Sequence, residues 1–480
     1  MHYYSTRDRT RPVSFREAAL SGLAPEGGLF IPEEIPEYRK AVKHSLDSMS
    51  FQDTAFQTIL PYVEGDVPPS VLEEISAGAF SFPAPLVPVI FEGPLVLELF
   101  HGPTAAFKDF GARFMARIFS YLRRGEDRPL RILTATSGDT GGAVADGFFG
   151  VEGIFVTILY PKGRVSELQE KQIAGLGGNI SALAVEGSFD DCQALVKAAF
   201  GDPALRKKLV LSSANSINIS RLLPQAVYYA AAAGKALGGR IDGDGEATPR
   251  NRGAGFSGPP RFRPGGGTGT AAGAIFCVPS GNFGNLTAGL YAMSMGAPIA
   301  GFIAATNINK TVPDYLESGE YQTRLSRPTI SNAMDVGAPS NFERMSAHWT
   351  YRDLSRMIRG VWVTDDETRR TIGTVYQDHG YYLDPHGAVA WTAVQKLRQG
   401  AAEAAAAPAA PVGPVGPVGP VAVLATAHPA KFSETVEPLT GPVPVPGSIQ
   451  KALDRTARAL TIPADLSALR DFLLSPASAS

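Results

Sequence analysis

The segment Phe100-His-Gly-Pro-Thr-Ala-Ala-Phe-Lys-Asp-Phe-Gly-Ala-Arg-Phe114 contains the most informative position of the chain, Lys108. This lysine stands between Phe107 and Phe110, after a His-Gly-Pro turn and an apolar run. In apolar surroundings an ammonium group loses hydration, so its pKa falls and the neutral amine becomes a usable nucleophile. Such an amine can form a Schiff base with a carbonyl cofactor. The alternative is a lysine that snorkels to solvent from a helix start.

The composition is that of a globular enzyme. The 480 residues are enough for two or three domains with a large core, and 44% hydrophobic and 19% charged residues are ordinary for this class. A net charge of −2 gives no general attraction to nucleic acid or acidic membranes. Two cysteines, Cys192 and Cys277, form neither a disulfide framework nor a zinc cluster, which favours a reducing cytosol. With no signal-peptide pattern and no apolar run that spans a bilayer, we expect a cytoplasmic protein.

Strands alternate with helices along most of the chain. Nearly continuous apolar strands that are separated by helices indicate parallel βα units, with helices on both faces of each sheet. The sequence therefore predicts an α/β protein. Strands are predicted at 95–100, 130–136, 153–160, 274–279 and 421–426, and helices at 107–122 and 141–149.

Changes in composition divide the chain into four parts. They are an α-rich segment at 1–94, a smaller α/β domain with Lys108 at 95–237, a Gly/Pro/Arg-rich insertion at 238–273 and a C-terminal α/β domain at 274–480. The insertion lacks apolar periodicity, which predicts disorder; an Arg-rich loop that contacts RNA or a partner is the alternative. The Pro-Val-Gly repeat before Pro420 is too short for a collagen helix and predicts a linker.

Two glycine-rich loops each follow a strand and precede a helix. In Thr134-Ala-Thr-Ser-Gly-Asp-Thr-Gly-Gly-Ala143, small residues expose backbone N–H groups at the positive end of a helix, which suits a carboxylate or a phosphate. In Pro279-Ser-Gly-Asn-Phe-Gly-Asn-Leu-Thr287, Gly281 and Gly284 allow a nest of N–H groups for a phosphate. An ordinary helix cap and a plain βα turn are the respective alternatives.

A nucleophilic lysine and two anion loops form one constellation, because ligands of doubly wound sheets bind outside the carboxyl ends of the strands. The combination suits an aldehyde cofactor that carries a phosphate, together with an anionic substrate. Pyridoxal phosphate matches this description. No metal site is expected, and Asp384-Pro-His-Gly387 is predicted to be a turn without a second ligand at metal spacing.

The order of the motifs resembles that of the threonine synthases, in the branch found in many bacteria and in fungi. That family belongs with the tryptophan synthase β-subunit group of pyridoxal phosphate enzymes, called fold type II. The resemblance implies two doubly wound, mostly parallel-sheet domains with an extra N-terminal segment. The motifs that carry it cover nearly the whole chain: Tyr4-Ser-Thr-Arg7, Gly22-Leu-Ala-Pro-Glu-Gly-Gly-Leu-Phe30, Phe80-Ser-Phe-Pro-Ala-Pro85, Glu98-Leu-Phe-His-Gly-Pro-Thr104, Ala106-Phe-Lys-Asp-Phe-Gly111, Thr134-Ala-Thr-Ser-Gly-Asp-Thr-Gly141, Ser213-Ala-Asn-Ser-Ile-Asn-Ile-Ser-Arg221, Pro279-Ser-Gly-Asn-Phe-Gly284, Ser331-Asn-Ala-Met-Asp-Val336 and Thr426-Ala-His-Pro-Ala-Lys-Phe432.

The resemblance also implies the residues of the cofactor site. Lys108 would hold pyridoxal phosphate as a Schiff base. Thr426 would meet the pyridine nitrogen, where a neutral hydroxyl leaves the ring less electron-withdrawing and suits replacement chemistry better than transamination. Phe107 would pack on the ring, with an ordinary core position as the alternative. The cofactor phosphate would be bound, largely through backbone N–H groups, by Gly281, Asn282, Phe283 and Asn285.

By the same resemblance, the substrate is O-phospho-L-homoserine, which reacts with water to give L-threonine and phosphate in the last step of threonine biosynthesis. Lys108 would be the catalytic base, and the protein would be a monomer or a small homo-oligomer. A dehydratase of the same fold that acts on serine or threonine, and a non-catalytic cofactor-binding relative, are the alternative functions. The side chains expected to bind the substrate are Ser137, Asp139, Thr140, Asn215, Asn218 and Arg221.

Overall fold

The structure is a computed structural model that describes residues 1–90, 93–238, 273–406 and 419–475, with the side chains of 401–406 excepted. The insertion predicted at 238–273, apart from its two end glycines, and most of the Pro-Val-Gly repeat lie outside the described residues. Among the described residues, no helix has both the length and the apolar character needed to cross a membrane.

The strands form two large sheets and one small ribbon. They are β1 (Tyr3–Ser5), β2 (Phe30–Pro32), β3 (Leu86–Pro88), β4 (Leu95–Glu98), β5 (Leu130–Ala135), β6 (Ile154–Pro161), β7 (Ile180–Glu186), β8 (Val210–Ser213), β9 (Ala274–Pro279), β10 (Ile299–Thr306), β11 (Ile358–Trp362), β12 (Val421–Ala425) and β13 (Leu460–Pro463).

Helices cover the sheets. Among the described residues, two short 3-10 turns, Asn332–Met334 and Pro429–Phe432, occur in the connections. The helices are α1 (Phe15–Ser21), α2 (Lys40–Ser45), α3 (Phe51–Val63), α4 (Pro69–Ala79), α5 (Lys108–Leu122), α6 (Asp139–Phe148), α7 (Glu167–Ala174), α8 (Phe189–Gly201), α9 (Pro203–Lys208), α10 (Ile219–Leu222), α11 (Gln225–Leu237), α12 (Gly284–Ser294), α13 (Thr311–Ser318), α14 (Asn341–His348), α15 (Tyr351–Met357), α16 (Asp365–His379), α17 (Pro385–Ala406), α18 (Ser433–Thr440), α19 (Gly447–Leu453) and α20 (Leu466–Leu474).

The larger sheet has the strand order β11-β10-β9-β12-β4-β3 and is parallel except for β3. Its central strands β9, β12 and β4 are buried on both faces, as their apolar sequences predict. In β9, Phe276 and Val278 join the core on one side, whereas Cys277 joins the core on the other side. This alternation follows from the two-residue period of a strand.

The smaller sheet has the order β13-β7-β6-β5-β8 and is parallel throughout. On one face Leu133 packs with the core that includes residues of α8 and α20, and on the other face Ile132 packs with residues of α5 and α6. Helices on both faces of two parallel sheets confirm the predicted fold class.

Two strands pair with strands that lie in a different sequence segment from their own. β4, at the start of the 95–237 segment, pairs with β12 of the larger sheet. β13, from the 274–480 segment, pairs with β7 at the edge of the smaller sheet. Both pairings have a physical reason, since β4 is buried along its whole length and needs neighbours on both sides, and β13 covers the edge of β7.

Helix α5 is anchored to the N-terminal segment by an aromatic cluster. Phe110, one turn from the first residue of α5, is fully buried. Its ring centroid lies 4.5 Å from that of Phe82, 5.6 Å from that of Phe51 and 5.7 Å from that of Tyr228. Packed rings of this kind hold a side chain in one rotamer, so the cluster fixes the start of α5, where Lys108 lies.

We expect Phe110→Ala to lower the free energy of unfolding by about 3–5 kcal/mol, because the truncation opens a cavity among packed rings. Urea unfolding followed by circular dichroism measures the change. Phe149→Ala is the matched control, because Phe149 is 50% exposed, and its cost should stay within about 0.5 kcal/mol. A cost below about 1 kcal/mol for Phe110→Ala would contradict the anchoring role.

Candidate active site

The carboxyl ends of four strands meet at one cleft. From the smaller sheet come the residues that follow β5 and β8, represented by Thr136 and Asn215. From the larger sheet come those that follow β9 and β12, represented by Ser280 and Thr426. Ligands of parallel α/β folds bind at such strand ends, so the cleft is the candidate site.

Lys108 lies in this cleft, at the first position of α5. Its side chain is 16% exposed, and its Nζ lies 3.9 Å from Oδ2 of Asp139. Burial lowers the pKa of Lys108; the carboxylate of Asp139 opposes this shift, and the positive charges of Lys431 and Arg221 reinforce it. The net direction favours the neutral amine, as the apolar neighbours in the sequence predict.

The backbone before Lys108 is held in a strained conformation by hydrogen bonds to the end of β12. Ala105 has φ 53°, in the left-handed region that costs a non-glycine residue about 1–2 kcal/mol. The carbonyl of Ala105 accepts from the N–H of His428 at 3.0 Å, and the N–H of Phe107 donates to the carbonyl of Thr426 at 2.9 Å. These bonds place Thr426 beside the lysine, and Phe107 also lines the cleft.

The loop after β9 forms the opposite wall. Phe283 has φ 60° and directly precedes α12, so the chain turns sharply into the helix. Gly281 is required by close approach, because a Cβ atom there would lie 2.6 Å from the carbonyl oxygen of Ala333. Among the described residues, Ala105 and Phe283 are the two non-glycine residues with positive φ; Phe283 lines the cleft, and Ala105 lies three residues before Lys108. Backbone strain of this kind concentrates at functional sites.

Buried polar groups without a protein partner line the cleft. They are Nδ2 of Asn285, Nε and Nη1 of Arg221, and Oδ1 of Asn332. The amide of Asn285 is fixed, because its Oδ1 accepts from the hydroxyl of Tyr228 at 2.5 Å and from that of Tyr229 at 2.7 Å. Burial lowers the pKa of Arg221 to about 10, so the guanidinium keeps its charge at neutral pH. The N–H donors of Asn285, at the start of α12, and of Arg221 fit a phosphate or carboxylate ligand.

The loop after β5 borders the cleft, and the carboxylate of its acid, Asp139, is paired within the protein. Ser137 and Thr140 line the cleft together with Asp139. However, Oδ1 of Asp139 accepts from Nζ of Lys431 at 2.8 Å and from Nε2 of Gln169 at 3.0 Å. The carboxylate of Asp139 is therefore occupied, and this position can serve an anion only through the N–H groups of the helix start.

Of the two asparagines expected to bind substrate, the structure brings one to the cleft. Asn215 lines it, with Nδ2 donating to the carbonyl of Ala135 at 2.8 Å. Asn218 is fully buried and caps α10, and its Nδ2 donates to the carbonyls of Ala19 and Ser213. The amide of Asn218 thus forms hydrogen bonds to backbone carbonyls of the fold. Asn218 stabilises the loop that contains Asn215 and does not line the cleft.

Sequence reasoning missed two groups at the site. His386, in the predicted turn, lines the cleft; its Nδ1 lies 2.7 Å from Oδ2 of Asp384, and its Nε2 accepts from the N–H of Ala333 at 3.3 Å. This pattern assigns the proton to Nδ1. Lys431, in the motif after Thr426, is fully buried beside Asp139. The contacts of Lys431 with Asp139 and of His386 with Ala333 join residues far apart in sequence, so local patterns do not predict them.

Fold and site together define a class: an α/β enzyme with a buried lysine and a glycine-rich loop in a cleft between two mostly parallel sheets. Comparison with known proteins narrows this class. Residues 2–80 match the family description "Threonine synthase N terminus", and residues 388–473 match "Threonine synthase, C-terminal".

Full-length relatives agree with these matches. The threonine synthase of Escherichia coli (strain K12) is 39% identical over 477 residues, which cover 99% of this chain and 100% of that protein. The crystal structure of Escherichia coli threonine synthase matches with a TM-score of 0.82 and 38% identity, over 99% of both chains. That of PLP-bound threonine synthase from Brucella melitensis matches with a TM-score of 0.81 and 33% identity, over 98% of both chains. The chain belongs to the threonine synthase family.

Asp109, next to the lysine, gives the site a measurable dependence of stability on pH. Its carboxyl accepts from the N–H of Thr104 at 2.9 Å and from the hydroxyl of Thr104 at 2.5 Å, and burial, the larger influence, raises its pKa to about 6. The folded protein thus holds this proton more tightly than the unfolded chain, in which the pKa of Asp is about 3.9. The contribution of Asp109 to stability is full below about pH 4 and is lost as the pH rises through about 6.

We therefore expect Asp109→Asn to reduce the dependence of the free energy of unfolding on pH. Between about pH 4 and 7, the wild-type protein should lose up to about 3 kcal/mol more stability than the variant, because a pKa shift of two units corresponds to that free energy. Urea unfolding at several pH values measures both slopes. Asp378→Asn, at an exposed position, is the control and should follow the wild type. Parallel curves for Asp109→Asn and the wild type would refute the assignment.

Proposed function

We propose that this protein is a pyridoxal phosphate-dependent threonine synthase that converts O-phospho-L-homoserine and water to L-threonine and phosphate. The observation that carries the proposal is the position of Lys108, a buried amine with a lowered pKa in the cleft where four strand ends meet. Similarity to threonine synthases over 99% of the chain supports the same substrate.

The residues of the cleft fit the cofactor. Lys108 would hold its carbonyl carbon, and Phe107 would pack against its ring, since both line the cleft. Thr426 would face the ring nitrogen from the end of β12 and offer a neutral hydroxyl. When bound, the cofactor supplies an electron-withdrawing system that stabilises negative charge developed on the substrate carbons. The phosphate would be held at the start of α12 by Gly281, Asn282, Phe283 and Asn285.

Lys108 would move protons in the reaction. Once the substrate amino group replaces it at the cofactor, the free amine takes a proton from the α-carbon and serves in the loss of a β-proton. Phosphate then leaves from the γ-carbon, water adds at the β-carbon, and the γ-carbon receives a proton. One amine is suited to these transfers because burial brings its pKa toward neutrality. Walls on most sides of the cleft limit the access of bulk water.

The anionic groups of the substrate would be held by donors on both sides of the cleft. Ser137 and Thr140 offer hydroxyls and N–H groups at the start of α6, and Asn215 lies nearby. Arg221 offers a buried guanidinium with two unpartnered N–H atoms, which suits a phosphate or a carboxylate. Asp139 would contribute through its backbone, because its carboxylate is paired with Lys431.

Three further properties are part of the proposal. We place the domain division along the sheets, so that β3 and β4 belong with the C-terminal strands β9 to β12, and β13 belongs with β5 to β8. A cytoplasmic location is supported by Cys192 and Cys277, which are both buried and unpaired. The protein would act as a monomer or a small homo-oligomer, as the family resemblance implies.

The test mixes the protein with O-phospho-L-homoserine and measures released phosphate and L-threonine together. Equal amounts of both products are expected, and Lys108→Ala should lower the rate by at least about 10²–10⁴-fold, because it removes both the cofactor link and the base. Lys162→Ala, at a largely exposed lysine, is the matched control and should keep the rate.

Other outcomes separate the alternatives. Phosphate with a keto acid in place of L-threonine would indicate elimination without controlled hydration, as in a dehydratase-like enzyme. A protein that takes up pyridoxal phosphate and turns over nothing would be a cofactor-binding relative. Either result would contradict the proposed reaction and leave the cofactor assignment standing.

A further inference from the structure

Lys431 is a buried cation to which the proposed reaction gives no role. It lies in the 3-10 turn Pro429–Phe432, and its side chain is 0% exposed. Its Nζ lies 2.8 Å from Oδ1 of Asp139 and donates to the carbonyl oxygen of Thr104 at 2.8 Å. An ammonium group is buried only when it is paired and hydrogen-bonded, and these two contacts provide both.

Asp139 lies between Lys431 and Lys108. Its Oδ1 contacts Nζ of Lys431 at 2.8 Å, whereas its Oδ2 lies 3.9 Å from Nζ of Lys108. Burial alone would raise the pKa of Asp139, but Lys431 and then Lys108 outweigh burial and hold this pKa below its usual range. Asp139 is therefore a carboxylate whose charge is matched first by Lys431, which leaves the amine of Lys108 with the longer contact.

We propose that Lys431 is a positioning residue that acts through Asp139: its buried ammonium neutralises this carboxylate and prevents it from forming a close ion pair with Lys108. The inference rests on the proposed function, because it concerns the amine that holds the cofactor. Without Lys431, the negative charge of Asp139 faces Lys108 uncompensated and favours the protonated form of its nitrogen. The same charge repels an anionic substrate at the start of α6.

The other carboxylates near Lys108, those of Asp109 and Asp384, have partners of their own. Asp109, the next residue in α5, accepts two hydrogen bonds from Thr104. Asp384 pairs with His386 at 2.7 Å before α17, and Arg221 of α10 adds a positive charge that disfavours protonation of Lys108. Removing the charge of Lys431 thus changes the balance at Asp139 and leaves these groups in place.

A purely structural role for Lys431 is the competing explanation, since the same ammonium joins the turn after β12 to Thr104 and to α6. The two explanations differ in what a neutral pair does. If Lys431 acts through its charge, removing the charges of Lys431 and Asp139 together keeps the net charge of the pair at zero. The protonation of the Lys108 nitrogen should then be that of the wild type. If only the cross-link matters, the double substitution is no better than the single one.

The experiment titrates the visible absorbance band of the full chain loaded with pyridoxal phosphate, without substrate, and takes the pH midpoint at which the lysine–cofactor linkage loses its proton. The variants are Lys431→Gln, which removes the charge and keeps an N–H donor for Thr104, and Lys431→Gln/Asp139→Asn, which removes both charges. Lys396→Gln is the matched control, because Lys396 forms an ion pair with Glu367 and donates to the carbonyl of Trp362.

We expect the midpoint of Lys431→Gln to rise by about one pH unit or more, because an uncompensated carboxylate at this distance favours the charged nitrogen by that amount. The double variant should return to the wild-type midpoint, and Lys396→Gln should not differ from it. If Lys431→Gln fails to hold the cofactor and the double variant holds it, the charge explanation is also supported.

Two results would overturn the inference. One is a pH midpoint in Lys431→Gln that equals that of the wild type. The other is a double variant whose midpoint stays shifted, or that loses the cofactor, while Lys396→Gln keeps the cofactor. Failure of the proposed function is recognised separately, because the unmodified protein would then develop no visible band with pyridoxal phosphate.

Discussion

Burial of the Lys108 amine where two parallel sheets meet determines how charge is arranged around it. An amine in this position loses hydration, which lowers its pKa, and a close carboxylate would reverse that shift. The structure contains such a carboxylate, Asp139, at 3.9 Å, and pairs it with a second buried ammonium on Lys431 at 2.8 Å. The carboxylate nearest to Lys108 is thus matched by a second buried charge, while the donors of Arg221 and Asn285 are left for a ligand.

The rest of the fold holds this arrangement rigid. Phe110 packs the start of α5 against the N-terminal segment. Through this contact, residues outside the cleft hold Lys108 in position. Hydrogen bonds between Ala105, Phe107 and the residues after β12 join the lysine segment to the larger sheet. Ala105, before Lys108, and Phe283, before α12, retain left-handed backbones, a cost that the surrounding contacts offset.

The sequence predicts the chemistry of the site better than its geometry. The strands, the lysine and both glycine-rich loops follow from local patterns, because period, composition and turn residues act within a few positions. The pairing of β4 with β12 and of β13 with β7 does not, since it joins residues hundreds of positions apart. The contact of Lys431 with Asp139 and that of His386 with Ala333 also join residues outside any local pattern, so the sequence does not predict them, and the carboxylate of Asp139 is occupied by Lys431. Asn218, expected in the cleft, caps α10.

Two buried lysines flank Asp139, and we propose that Lys108, not Lys431, holds the cofactor. The most direct measurement loads the protein with pyridoxal phosphate, reduces it with borohydride, digests it and locates the modified lysine by mass spectrometry. The account predicts a pyridoxyl label on Lys108. A label on Lys431 or on another lysine, or no label after reduction of a coloured protein, would contradict it.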